Sequence, residues 1–141
     1  MPHAFPGLRC SRAGGESFGP IRTHPDIMSV VCEGSATSVF GRSSFSLFVG
    51  PSAGMAKTGA TNVRAYMTVL RSDDDGEHYR RQLQLTNTTA YAAYSSVACG
   101  LAPAGAGRHD CAVLFNDAPI AGPYDGQRVV RFTPFASSDV K

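Results

Sequence analysis

The tightest constraint on the fold is a pair of alternating segments, VRAYMTVLR (63–71) and HYRRQLQLT (78–86), on either side of SDDDGE (72–77). Successive side chains of a strand point to opposite faces, so strict alternation of apolar and polar residues predicts a strand with one buried face. In the first segment Val63, Ala65, Met67 and Val69 share one face, and Arg64, Tyr66 and Thr68 share the other. In the second, Tyr79, Leu83 and Leu85 alternate with His78, Arg80, Gln82, Gln84 and Thr86. An Asp/Gly-rich turn between two such runs predicts an antiparallel hairpin with a core face and a wet face.

Five more segments of strand composition are set off by Gly, Pro, Asn and Asp: IMSVVCE (27–33), SSFSLFV (43–49), YAAYSSVAC (91–99), CAVLFN (111–116) and RVVRFTPF (128–135). The stretch TTAYAAYSSVA is the one rival for a helix, since its alanines favour helix and Tyr91, Tyr94 and Val97-Ala98 stand three apart, but a strand is the reading kept. Together the segments predict an all-β fold, an antiparallel β-sandwich of about seven strands whose order is either immunoglobulin-like or jelly-roll. Pro134 has no N–H to give to a ladder, which places the last strand at an edge or ends it there. Residues 1–27 are rich in Pro, Gly and Arg without a period and read as an extended, disordered N-terminal arm, leaving 28–141 as a single domain.

Composition removes several function classes. The chain has 141 residues, enough for one core without staples, and a net charge of +2 with basic residues scattered except for Arg80-Arg81. No basic run tracks a phosphate backbone, which argues against nucleic acid. Apolar runs such as CAVLF fall far short of the roughly 20 residues that span a bilayer. No continuous apolar stretch near the start acts as a signal peptide, so the compartment stays open, and with it any use of the sequon Asn87-Thr88-Thr89.

SLFVGPSAGMAKTGAT (46–61) looks like a strand feeding a phosphate loop, but Lys57 follows Ala56 rather than a glycine, and the chain then enters a β-branched strand instead of a helix. A nucleotide site is therefore not expected. No cofactor is expected either. Cys99, His109 and Cys111 offer three soft ligands, yet without the tight pair of cysteines and the fourth ligand of a zinc site.

The four cysteines, Cys10, Cys32, Cys99 and Cys111, read most simply as buried free thiols, with a Cys99–Cys111 bridge across a hairpin as an alternative. VVCEG and LQLTNTTAYAAYSSVAC loosely resemble the B-strand and the E-to-F portion of immunoglobulin-like domains. That resemblance implies an inter-sheet disulfide Cys32–Cys99. The chain departs from the pattern in having no Trp, and Tyr94 stands five residues before Cys99 rather than two.

These features point to a non-enzymatic module that acts through its surface, as a protein-binding domain or as a subunit of an assembly such as a viral shell. Its partner is a protein, another chain or a second copy of itself. The contact loops expected are 50–61, 72–77 with Asp73, Asp74 and Asp75, and 100–110 with Arg108, His109 and Asp110. The acidic tip does not follow the calcium-loop spacing and reads as a solvated turn. A second class is a small lectin-like sandwich using Tyr66, Tyr79, Tyr91, Tyr94 and Tyr124 as platforms. A third is an enzyme with a site around Cys99, His109 and Cys111, RHDC (108–111) placing a histidine, a carboxylate and a thiol in sequence.

Overall fold

The computed structural model describes residues 7–8, 15–20, 22–27, 33–39, 44–52, 64–86, 91–100, 109–118 and 129–141. Cys10, Cys32, Lys57, Asn87, Arg108, Tyr124 and most of the expected strand 27–33 lie outside them. Its strands are β1 (Gly7–Leu8), β2 (Arg22–Thr23), β3 (Ser35–Val39), β4 (Phe45–Pro51), β5 (Met67–Ser72), β6 (Arg81–Gln84), β7 (Tyr91–Cys99), β8 (Cys111–Ala118) and β9 (Val129–Phe135). A 3₁₀ turn follows at Ser137–Asp139. Apart from the short β1–β2 pair, seven antiparallel strands form two sheets, β3-β4-β5-β6 and β7-β8-β9, an all-β sandwich.

Every neighbour in either sheet is also the neighbour in sequence. Each sheet is thus a meander, whereas immunoglobulin and jelly-roll orders place strands distant in sequence side by side.

The core follows from the alternation. Phe45, Leu47, Val49 and Pro51 of β4 and Met67 and Val69 of β5 face Cys111, Val113 and Phe115 of β8, with Phe135 and Val140 closing one end. Full burial of such side chains contributes about 1.5–3 kcal/mol each. The hairpin forms as its sequence predicts, Val69 pairing with Leu83, and its tip turns through Asp75 and Gly76, both at positive φ (56° and 85°). That turn needs φ > 0 at two successive residues, which Asp-Gly tolerates best. The outer face of β5 is not wet, however: Tyr66 and Thr68 are buried, and the Thr68 hydroxyl is satisfied by donating to the Tyr66 carbonyl at 2.8 Å.

The sheets are stitched at both ends. Ser95 Oγ donates to the Val49 carbonyl at 2.7 Å and lies 3.1 Å from Ser35 Oγ, and the Ala92 N–H donates to the Arg64 carbonyl at 2.7 Å. After β9 the chain crosses back, burying Val140 and bringing the Lys141 carbonyl to the Gln82 N–H of β6 at 2.8 Å. At the start, His24 Nε2 donates to the Gly76 carbonyl at 3.0 Å, and Asp26 Oδ2 accepts the Tyr79 N–H at 2.9 Å. The end of the segment 1–27 is thereby held on the β5–β6 hairpin, with Ile27 buried.

Cys99 is bonded to Cys111, which corrects both the Cys32–Cys99 pairing and the expectation of free thiols for these two residues. The two are directly opposite on β7 and β8, with Cα atoms 4.0 Å apart. The Gly100 N–H donates to the Asp110 carbonyl at 2.9 Å, just beyond this pair, so Cys99 and Cys111 form a non-hydrogen-bonded pair, the position where cross-strand side chains come closest. Cys111 is fully buried and ties the sheet to the core. Closing a loop of this length stabilises by about 3 kcal/mol. The double variant Cys99→Ser/Cys111→Ser is therefore expected to lose about that much in urea unfolding, and reductant is expected to lower the wild-type midpoint by a comparable amount.

Candidate functional site

Loop 72–77 and Asp110, the last residue of loop 100–110, meet at one end of the sandwich, whereas loop 50–61 leaves β4 at the other end and is described only to Ser52. Arg71, at the end of β5, stacks its guanidinium on Phe45 with 4.1 Å to the ring centre and forms a 2.7 Å ion pair with Asp73. Its Nη1 donates to the Ser137 carbonyl at 3.3 Å. Ser137 in turn donates through its N–H and hydroxyl to Asp110, at 2.7 and 2.6 Å. Asp73 also pairs with Arg81 at 3.3 Å. The hairpin, the start of β8 and the C-terminal segment are thus joined in one polar network.

Those bonds give the candidate carboxylates intramolecular work. Asp74 accepts from the His78 side chain and backbone, each at 2.8 Å, and from Ser72 at 2.8 Å; these hold its carboxyl down at about 2. Burial pushes the Asp110 carboxyl up, but the Ser137 hydrogen bonds outweigh it and leave it below its ordinary value. Asp75 at the tip and His109 before β8 are exposed. Among the described residues no group of three or more His, Cys, Asp or Glu is placed to hold a metal ion.

The tyrosines proposed as platforms do not converge. Tyr66 is buried at positive φ, and Tyr79 packs edge-on against His24 with ring centres 5.2 Å apart. Among the described tyrosines only Tyr91 and Tyr94 come together. Arg64 Nη1 donates to both hydroxyls, at 3.1 and 2.9 Å, and these bonds, Tyr91's first, raise its pKa above the ordinary arginine value.

Sequence reasoning missed the surface that differs most from an ordinary one. On β9, Arg131 and Thr133 pair with the core residues Phe115 and Val113, so they share the inner face. Val130 and Phe132 point outward instead, 70% and 61% exposed, beside Leu114 of β8 at 45%. A reading by hydrophobicity buries Val130 and Phe132. The structure does the reverse because Asp117, buried on the inner face at the end of β8, is ion-paired with Arg131. Asp117 lies one residue beyond the predicted strand, which ends at Asn116, and the Asp117–Arg131 spacing across the hairpin was the one signal available.

The backbone of this strand is equally open. Since Cys99 and Cys111 form a non-hydrogen-bonded pair, the N–H and C=O of Cys111 turn away from β7, toward β9. Phe135, Thr133, Arg131 and Val129 then bond to β8, while Val130, Phe132 and Pro134 turn their backbone groups to the outer edge. Pro134 offers only its carbonyl there. Other edges are engaged: the Gln82 N–H of β6 takes the Lys141 carbonyl, and β3 and β7 meet through Ser35 and Ser95. Among the described residues no strand pairs with the outer edge of β9.

No protein-family model, curated protein or solved structure matches the chain. Among the described residues no helix is long and apolar enough to cross a membrane.

The polar network predicts an acid sensitivity of definite sign. Carboxyls held below their ordinary value of 3.8 stabilise the fold fully above that value, and the contribution is lost as pH falls through the lowered one, about 2 for Asp74. Asp110→Asn is expected to cost about 1–2 kcal/mol at neutral pH through its Ser137 bonds. Thermal unfolding from pH 6 to pH 2 is expected to show the gap between this variant and wild type closing below pH 4.

Proposed function

We propose that this domain is a non-enzymatic module that binds protein through the open edge of β9 and the apolar face beside it. The observation that carries the proposal is an edge strand whose outward positions, Val130 and Phe132, are apolar and exposed and whose outward backbone groups have no strand beside them among the described residues. Edge strands are ordinarily blunted by charge, Pro or covering chain. Here Pro134 removes one donor but no charged side chain stands on the outward face of β9. A bound strand would gain main-chain hydrogen bonds from the edge and side-chain contacts from Leu114, Val130 and Phe132.

The loop residues Asp73, Asp74 and Asp110 support this choice indirectly, since their oxygens are taken up within the chain. The enzymatic alternative around Cys99, His109 and Cys111 loses two nucleophiles to a disulfide. Of the described tyrosines the lectin-like alternative retains Tyr91 and Tyr94, already turned to Arg64. An assembly subunit remains a special case of the proposed module, one whose partner is its own kind.

Cross-linked capture of partners from cell extract tests the surface. Val130→Lys/Phe132→Lys is expected to abolish capture while leaving the unfolding midpoint within a degree or two, and Asp75→Lys at the opposite loop is expected to leave capture intact. Partners retained by the β9 variant but lost by Asp75→Lys would transfer the binding surface to the hairpin tip.

A further inference from the structure

Taking the β9 edge as the binding surface, we infer that its occupant is a second copy of the chain, its β9 antiparallel to the first about a two-fold axis through Phe132. The edge supplies the N–H and C=O of Val130 and Phe132 and the C=O of Pro134. With Phe132 opposite Phe132 of the partner, the two residues exchange both of their hydrogen bonds. The Val130 N–H of each protomer then meets the Pro134 carbonyl of the other. All four donors on the paired edges find acceptors, and the missing proline donor falls at the outer end of the ladder, where the unmatched Val130 carbonyl stays open to water.

Side chains agree with this register and disagree with its neighbour. On the outer face Phe132 meets Phe132, and Val130 meets Pro134, with Leu114 of each protomer flanking them. The three-stranded sheets become one of six strands, and two exposed apolar patches become one. On the inner face Arg131 falls opposite Thr133 of the partner. The alternative axis through Arg131 also makes four hydrogen bonds, but sets Arg131 against Arg131 in a non-hydrogen-bonded pair, where Cα atoms stand roughly 4.5 Å apart and like charges repel. In the register about Phe132 each Arg131 keeps Asp117 as its counter-ion within its own protomer. A two-fold interface must be self-complementary, and this edge meets that condition residue by residue. The chain's net charge of +2 opposes association only weakly.

Two measurements test the inference. Light-scattering mass of the full chain, from micromolar to millimolar, is expected to double for wild type and to stay at one chain for Phe132→Lys, with no change in circular dichroism or unfolding midpoint. In a Cys10→Ser/Cys32→Ser background, Phe132→Cys is expected to form a covalent dimer under mild oxidation, because hydrogen-bonded partners stand roughly 5.5 Å apart, within disulfide reach. Val130→Cys in the same background is expected to stay uncross-linked, because it stands opposite Pro134 of the partner and not opposite itself. A wild type that remains monomeric at millimolar concentration, a Phe132→Lys variant that still dimerises, or cross-linking through residue 130 instead of 132 would each overturn the inference. Monomeric wild type whose partner capture is still abolished by Val130→Lys/Phe132→Lys would overturn self-pairing while upholding the β9 surface. Loss of both dimer and β9-dependent capture would remove the surface as well.

Discussion

The ion pair between Asp117 and Arg131 decides which way the last strand faces, and the character of the molecule's surface depends on it. A slip of one residue in a strand moves every side chain to the opposite face. Placed the other way up, β9 would turn Phe135 out of the core and leave the buried carboxylate of Asp117 without the guanidinium that lies against it. Two pairings reinforce the choice, Phe135 opposite Cys111 and Thr133 opposite Val113, since Phe135 belongs to the core. An apolar outer face on an edge strand is the consequence.

The opposite end of the sandwich is built to stay shut. Arg71 bridges Phe45, Asp73 and the Ser137 carbonyl, Ser137 holds Asp110, and Val140 fills the core below them. This junction and the Cys99–Cys111 disulfide act at neighbouring residues, Asp110 and Cys111, and fix the point where β8 begins. Two of the carboxylates that the sequence offers as contact residues, Asp73 and Asp110, are therefore part of the clasp. Rigid support at one edge and an unpaired backbone at another is the arrangement by which sheet proteins add strands from a partner.

Much of the sheet was legible in the sequence because alternation reports burial directly. The β5–β6 hairpin, β4, β7 and β8 stand where their patterns place them, and Pro134 marks an edge as its chemistry requires. β3, SATSV, escaped notice because its only large apolar residue is Val39; it is held by pairing with β4 rather than by a buried face of its own. Tyr66 and Thr68 were assigned to water because period-two reading assumes one solvated face, and β5 is central enough to be covered on both. The Cys99–Cys111 bridge was one alternative among several in the sequence for a related reason: pairing depends on which residues fall opposite in the ladder, a matter of register and not of spacing. The outward face of β9 could be read only with knowledge that Asp117 is buried.

The most direct measurement of the account is amide hydrogen exchange along β9, residue by residue, at low and at high protein concentration. Arg131, Thr133 and Phe135, bonded to β8, are predicted to be protected at both concentrations. Val130 and Phe132, turned to the outer edge, are predicted to exchange fast when dilute and to gain protection when concentrated. Protection of Val130 and Phe132 at every concentration would mean that the chain covers this edge itself, and would contradict both the open strand and the pairing built on it.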